Sequence, residues 1–493
     1  MTHNSYKIFT FVILFGILFL EGYIVLSYEL IALRQAIPFA GAGTQTAAIV
    51  ISAVLLPLAF GYHRGGAYGI RAYDIHRDGI RRRGPVQSIR LKILQNFIIA
   101  SPFIALGGSY VFVEFFFDSL NAAGITHPYW QLTIFCLIFV VPPIYVLGQT
   151  VPLVSNYFAR LRLSQATGLI LLVSTLGSLA GALVTTLYVM PFFGVHRASA
   201  FLMVCLVILC LAICPRRKFT YFIPVGVFFV IGLALNAEST LRAAGIKANN
   251  QYHTVQISTF PGPAGQNKKV MWLNRAGASA YNKHDGSKWE YVEFVENNFI
   301  IPASRRLDRK LDILVIGAGG FTLGSEDETN NYIFIDIDPQ LKDLSETYLL
   351  ERELGENKKF FPEPARRFLR DNDQKYDLIF LDAFHGITIP EHLVTREFFQ
   401  DVKQSVKPHG AVVMNFIVSP AFRTPLSRNV YATFSDVFWP NSRFILPDFD
   451  ARIGTGTDEK FPTNVMHVYF DTSGPQDAII YTDMHNKAPL HIR

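Results

Sequence analysis

The sequence predicts a multi-pass α-helical membrane domain followed by an α/β Rossmann-like domain with a small β-rich subdomain at its start. Three observations carry this. Apolar residues crowd into the first half, up to about Asn236, while the remainder has ordinary globular composition. Basic clusters flank the apolar segments. The stretch Leu311–Pro339, LDILVIGAGGFTLGSEDETNNYIFIDIDP, reads as strand, glycine turn, short connector, strand and acid.

That stretch organises the second half. Leu311–Ile316 is a short apolar run rich in β-branched residues, as in a strand buried on both faces of a parallel sheet. Gly317, Gly319 and Gly320 follow at once. Glycines there tolerate positive φ and let backbone N–H groups approach a ligand. Ile333–Ile337 is a second buried strand with Asp336 near its end, where a carboxylate can accept hydrogen bonds from both hydroxyls of a ribose. The pattern suits a nucleoside site; its plain alternative is a βα turn followed by a surface aspartate.

The chain has 493 residues, room for two or three domains. Charged residues make up 17% and mean hydropathy is +0.26, a low charge content for a purely soluble chain. The formal charge of +6 sits beside apolar segments, so it reads as membrane topology rather than nucleic-acid binding. Cys136, Cys205, Cys210 and Cys214 all lie in apolar segments without ligand-like spacing. They read as packing residues, with neither a disulfide framework nor a metal site. No cleavable signal peptide is expected, because Ile8–Leu33 is too long for the apolar core of one.

Seven segments are candidate spans: Ile8–Leu33, Thr44–Tyr62, Ile93–Phe117, Trp130–Leu153, Gln165–Met190, Ala198–Cys214 and Phe219–Asn236. Each approaches the roughly 17–25 apolar residues that a bilayer requires. Glu21 and Glu29 interrupt the first. Ionisable groups in a span usually face protein or water and mark function; the alternative for Glu29 is a pair with Arg34 at the membrane edge. Gly177 and Gly181 form a GxxxG pair that permits close helix contact. The arginine-rich connection His63–Lys92, the pair Arg160 and Arg162, and the run Arg216-Arg217-Lys218 mark cytoplasmic loops, whereas Asp118–Tyr129 has no Lys or Arg. These assignments suit a bacterial inner membrane with the N-terminus inside. A spanning Phe219–Asn236 then places the soluble half outside the cytoplasm, although nucleotide-like donors are cytosolic.

Domain boundaries follow as 1–236 for the membrane part, 248–304 for the β-rich subdomain and 305–493 for the α/β core. Tyr252–Phe260 alternates and pairs with Lys269–Leu273 across the turn-rich Pro261–Asn267. Trp289–Ile300 is helical. In the core, Pro339–Leu354 is a helix and Arg366–Arg370 a short one. Tyr376–Asp382 is a third buried strand ending in an acid, and Thr395–Val406 is a helix. Lys407-Pro-His-Gly410 is a turn before a fourth strand, Ala411–Phe416. Alternating strands and helices argue a doubly wound parallel sheet, whose ligands sit at the carboxyl ends of the strands. Gly319, Asp336 and Asp382 all fall there.

Taken in order, these residues resemble the polyamine aminopropyltransferases, the spermidine synthase family, in its membrane-embedded, fused form. The resemblance rests on the glycine-turn segment, YDLIFLDAFHG, LVTREFF, KPHGAVVMNF, the upstream YHTVQI and MWLNRAGASA, the membrane motifs SYELIALR, LGQTVPL and STLGSLAGAL, and TDMHNKAPL near the end. It implies a methyltransferase-type Rossmann fold and decarboxylated S-adenosylmethionine as co-substrate. Gly317, Gly319 and Asp336 would hold that donor, with His253 and Glu290 beside it. Asp382 would take the proton of the attacking amine, and Tyr252, Trp289 and His385 would line the amine channel. A polyamine or other amine, the lipid bilayer and a second copy of the chain are the partners this carries; nucleic acid and metal are not among them. Trp289, His253 and Asp382 also have plain readings, as core residue, strand residue and turn cap.

The chain departs from the family at several positions. The glycine turn, Gly317-Ala318-Gly319-Gly320-Phe321-Thr322, has no acid. Pro364 stands before Ala365-Arg366, where the family places an Asp toward the adenine; proline offers neither carboxylate nor N–H. His385 replaces a second acid, and His253 a glutamine. Phe321–Asn331 is too short for a full helix aimed at a ligand. Three functions therefore compete: an aminopropyltransferase, a non-catalytic binding or scaffold descendant, and a transporter with a polyamine-sensing domain.

Overall fold

The computed structural model describes residues 3–77, 85–157, 163–214, 222–262, 266–383, 390–446 and 463–469. The chain forms two compact units, 1–251 and 252–493. The basic loops around 78–84, 158–162 and 215–221, His385 and the segment TDMHNKAPL lie outside the described residues.

The first unit is helical. It contains α1 (His3–Ala40), α2 (Thr44–Arg77), α3 (Pro85–Gly107), α4 (Tyr110–Ala122) and α5 (Pro128–Phe135). Then come α6 (Val141–Leu147), α7 (Thr150–Tyr157), α8 (Leu163–Val184), α9 (Met190–Ile213), α10 (Phe222–Leu235), α11 (Glu238–Ala243) and the short strand β1 (Ile246–Asn249). Among the described residues five stretches are long and apolar enough to cross a membrane: Val12–Ala40, Thr44–Tyr68, Ile89–Gly107, Pro128–Asn156 and Thr167–Ile213. The count differs from the expected seven for two reasons. The expected fifth and sixth spans join into one run of 47 residues, opened only where Gly194 leaves helical geometry (φ 83°, ψ 165°). The expected seventh is α10, whose 14 described residues fall short of the roughly 20 that a span needs.

The tightest seam in this unit joins α1 to α8. A Cβ on Gly177 would overlap the Phe19 carbonyl, and one on Gly181 would stand 2.5 Å from the Tyr23 carbonyl. Hydroxyls finish the contact: Tyr23 bonds Thr185 (3.1 Å), while Ser27 bonds Thr185 (2.8 Å) and donates to the Gly181 carbonyl (3.2 Å). Buried Glu21 meets Ser174 on the same seam. The partners advance together, Phe19 with Gly177, Tyr23 with Gly181, Ser27 with Thr185, so the two helices run parallel. Parallel α1 and α8 fit alternating crossings with three stretches between them. Arg34 directs its Nε to the Asn250 carbonyl at 2.9 Å. The four cysteines form no disulfide and lie in this unit.

The second unit begins with an antiparallel meander of β2 (Thr254–Phe260), β3 (Lys268–Leu273) and β4 (Ala276–Asn282). Asn274 and Arg275, both at positive φ (49° and 69°), make the two-residue turn between β3 and β4. Two short helices follow, α12 (Glu290–Val295) and α13 (Ile301–Leu307). The core is a seven-stranded sheet built from β5 (Asp312–Ile316), β6 (Asn331–Asp336), β7 (Lys358–Pro362), β8 (Tyr376–Leu381), β9 (Val406–Val418), β10 (Ser442–Ile445) and β11 (Thr463–Val468), in the order β10-β11-β9-β8-β5-β6-β7. The pairs β5–β6, β6–β7, β5–β8 and β8–β9 are parallel. The pairs β9–β11 and β11–β10 are antiparallel. The sheet is therefore parallel at its centre with an antiparallel edge, the methyltransferase-type arrangement. Helices α14 (Leu341–Leu344), α15 (Ala365–Asp371), α16 (Arg396–Gln404) and α17 (Pro425–Val437) connect the strands. Thr395 starts α16 by accepting the Phe398 N–H, and Phe398, Phe399 and Val402 pack inward.

Two local expectations change. Residues 407–410 are not a turn before a strand but a bulge within β9: Tyr376 pairs Val406, and the next matched pair is Leu378 with Ala411. The bulge lets Lys407 reach Asp312 (2.5 Å) and Asp377 (2.9 Å) at the starts of β5 and β8. Arg309 grips Asp377 with two hydrogen bonds, at 2.5 and 3.0 Å. Burial alone would raise the Asp377 carboxyl, but these cations and the Asp312 N–H outweigh it and hold it well below the carboxylate range. The second change is that α14 covers four residues of the expected helix 339–354, continued by a wider turn at Ser345–Leu349.

The α1–α8 seam gives a direct test. Gly177→Ala forces a methyl into the Phe19 carbonyl and should lower stability in detergent by about 1–3 kcal/mol, read as a fall in melting temperature. Gly168→Ala on the same helix meets nothing within 4 Å and should leave it unchanged.

Candidate active site

Strand order reverses beside β5: the chain runs β5-β6-β7 to one side, then returns to β8 and β9 on the other. Ligands on such sheets bind at the carboxyl ends of the strands at this switch. The backbone there is drawn very close. Gly317 has φ 93°, its N–H donates to the Ile335 carbonyl (2.9 Å), and the Asp382 N–H donates to the Ile316 carbonyl (2.8 Å). A Cβ on Gly317 would overlap the Asp382 carbonyl, so only glycine fits. Gly319 is also at positive φ (50°), and the Gly320 N–H donates to Ser279 of β4 at 2.8 Å. Residues 321–330 form turns rather than a helix.

A cavity of about 770 Å³ opens over these ends, within the range of small-molecule sites. Gly317, Gly319, Asp336, Asp382, His253, Trp289 and Glu290 all line it, so most of the residues singled out from sequence converge. Tyr252 is not among the lining residues; its carbonyl accepts from the Asn274 side chain at 3.4 Å. His385 lies outside the described residues. Among the described residues no group of three or more His, Cys, Asp or Glu is placed to hold a metal ion.

Asp336 accepts the Ala318 N–H and the Asp338 N–H, both at 3.1 Å, on different carboxylate oxygens. Burial raises its carboxyl above the ordinary value, with His253 and those N–H groups pulling the other way. His253 is held by Asp338, Nδ1 to Oδ2 at 3.0 Å, and both side chains are buried. Asp382, one residue past β8, accepts the Asn415 amide at 2.9 Å and meets the Tyr291 hydroxyl. Burial pushes its carboxyl up to about 6, in spite of these two hydrogen bonds. The Tyr291 phenol is raised well above its ordinary range, first by burial and then by Asp382.

Sequence reasoning missed Asn415, Tyr291, Asp338 and Glu363. Asn415 had a signal: it is the one amide in the apolar strand AVVMNF, near its carboxyl end. Its own Oδ1 is buried without a hydrogen-bond partner among the described residues, and the residue lines the cavity. Glu363 lines the wall beside Pro364, so a carboxylate is present one position before the proline. Tyr291 and Asp338 had no local signal, because their partners come from other elements.

Burial favours the protonated form of Asp382 in the folded state. Folding disfavours the ionised form, so stability from this group is full below its ordinary 3.8 and is lost as pH rises through about 6. Asp382→Asn should therefore stabilise the protein at pH 7.5, on the order of 2 kcal/mol, with the gain vanishing toward pH 4 in thermal melts.

Residues 308–450 match the spermine/spermidine synthase domain. The polyamine aminopropyltransferase of Vibrio vulnificus is 32% identical over 142 residues, 27% of this chain and 46% of that protein. The polyamine aminopropyltransferase of Sulfolobus acidocaldarius is 27% identical over 175 residues, 33% of this chain and 58% of that protein. The chain thus spans about half the length of the curated relatives it matches. Among solved structures, spermidine synthase from Thermotoga maritima aligns at 17% identity and a TM-score of 0.31, covering 48% of this chain and 81% of that one. A probable spermidine synthase from Corynebacterium glutamicum aligns at 18% and 0.36, covering 45% and 78%. The match to the spermine/spermidine synthase domain thus falls in the second half of a chain whose first half carries long apolar helices.

Proposed function

We propose that this cavity transfers an aminopropyl group from decarboxylated S-adenosylmethionine to an amine, and that the apolar half of the chain holds it in a membrane. The observation that carries the reading is Asp382: a buried carboxyl with its pKa moved to about 6, facing the same cavity as the glycine turn and Asp336. An amine is protonated near neutral pH and cannot attack. A carboxylate with a pKa near the working pH both attracts the cation and accepts its proton.

The roles follow from position. Asp336, at the end of β6, suits the ribose hydroxyls. Glu363, beside Pro364, offers the carboxylate that the proline cannot. The glycine turn brings the chain close enough for the sulfonium to lie beside Asp382. Glu290 is the other carboxylate of the wall and suits the donor's ammonium. The amine nitrogen attacks the carbon next to sulfur. A C–N bond forms, the C–S bond breaks, and its electron pair goes to sulfur, leaving neutral methylthioadenosine. The proton of the attacking nitrogen passes to Asp382, oriented by Asn415 and Tyr291.

In the membrane half, the five apolar stretches and the parallel course of α1 and α8 support a multi-pass anchor. The basic loops between apolar stretches support an N-terminus on the cytoplasmic side of a bacterial inner membrane.

Release of methylthioadenosine by the full chain, given decarboxylated S-adenosylmethionine and an amine, tests the reaction. Asp382→Asn should lower kcat at least a hundredfold while leaving methylthioadenosine binding intact. Asp336→Ala should weaken that binding about tenfold. Full turnover in Asp382→Asn, or no product with any amine, would overturn the reading.

A further inference from the structure

Two largely apolar walls lead outward from Asp382. The first is the face of the meander. On β3, Val270 and Trp272 are two residues apart and point the same way, and Phe260 of β2 pairs opposite Lys268 on that side. Phe260, Val270 and Trp272 all line the cavity. Trp289 continues this wall: a Cβ on Gly277 would stand 3.5 Å from its ring and 3.6 Å from that of Trp272. The second wall starts at Asn415, which donates to Asp382 at 2.9 Å. Ile417, two residues further along β9, faces the cavity, and so does Leu446, whose N–H donates to the carbonyl of Asn464, the residue opposite Ile417. Phe260 is 48% exposed and Ile417 is half-buried, so both walls keep apolar surface open toward the cavity.

The carboxylates end before these walls do. Among the described lining residues they are Glu290, Asp336, Glu363 and Asp382. In the transferase reading the donor takes the first three and the attacking nitrogen takes Asp382. Asn464 is the polar member of the second wall, and its carboxamide carries no charge. On the first wall an indole face can hold an ammonium, but the Trp289 ring already holds that of Lys268, 5.2 Å from its centre. A second ammonium on the acceptor would therefore leave water with no carboxylate of the described lining to meet it, which is costly. Methylenes in the same place would be buried against matching surface, which is favourable.

We propose that the acceptor is a primary amine borne directly on an apolar chain, which lies between the Phe260–Trp272 wall and the Ile417–Leu446 wall, rather than a polyamine. This rests on the transferase reading: the same nitrogen attack, C–S cleavage and proton transfer to Asp382 apply, and the chain takes no part in the chemistry. Such an amine reaches the cavity either dissolved or as a component of the bilayer.

The test uses the full chain in phosphatidylcholine vesicles and reads methylthioadenosine release from decarboxylated S-adenosylmethionine. Butylamine and hexylamine are compared with 1,4-diaminobutane and 1,6-diaminohexane, matched in length and differing in end charge, and with octadecylamine carried in the vesicles. The expected result is a kcat/KM at least tenfold higher for a monoamine than for either diamine. Each methylene added between butylamine and hexylamine should raise it about fourfold. Hexylamine or octadecylamine as the better substrate tells whether the amine comes from solution or from the bilayer. Phe260→Ala, at an exposed position, and Ile417→Ala should each cut the monoamine advantage at least threefold. A diamine preference, or equal use of all, overturns the inference and leaves the transferase reading standing. A monoamine advantage unchanged in both variants removes these walls as its cause and overturns the inference as well. No turnover with any of the amines, in a protein that still binds methylthioadenosine, overturns the transferase reading and the inference with it.

Discussion

The close approach of Gly317 to the Asp382 carbonyl is the contact on which the rest of the site depends. It exists because β5 and β8 are adjacent parallel strands ending side by side, and because residue 317 has no Cβ. The Asp382 N–H reaches the Ile316 carbonyl and the Gly317 N–H reaches the Ile335 carbonyl, so three strand ends are tied into one rim. Two carboxylates stand on that rim. Asp336 keeps backbone N–H partners and suits hydroxyl recognition, while Asp382 takes side-chain partners, with its carboxyl pushed up by burial, and suits proton transfer.

The opposite edge of the sheet supports this geometry by other means. There Asp312, Asp377, Lys407 and Arg309 pin the starts of β5, β8 and β9. The charges are paired and the carboxyls lie below their ordinary range, whereas Asp336 and Asp382 at the cavity lie above theirs. One edge of the sheet uses its ion pairs for alignment; the other holds carboxyls that burial raises above their ordinary range, which is the condition for chemistry.

Much of this was legible in the sequence, because its signals are local. Apolar runs marked β5, β6 and β8, glycines marked the turn, and a terminal acid marked each of two strands. What was not legible depends on contacts between distant elements. Tyr291 reads as a helix residue until β8 brings Asp382 against it. Residues 407–410 carry every mark of a turn, and only Lys407 reaching two carboxylates explains why they stay within β9. In the membrane half, composition located the apolar stretches, but one run is divided by the backbone of Gly194 rather than by polar residues. The α1–α8 seam was half visible: the glycine pair announced close packing, while the partner helix and its parallel course came from tertiary structure.

The proposed role of Asp382, a desolvated base tuned by Asn415, is open to test in the pH dependence of kcat/KM. An acidic limb breaking near 6 is expected. The break should move upward in Asn415→Leu, because the lost amide had stabilised the carboxylate. A break near 4, or one that stays in place when Asn415 is replaced, would contradict it.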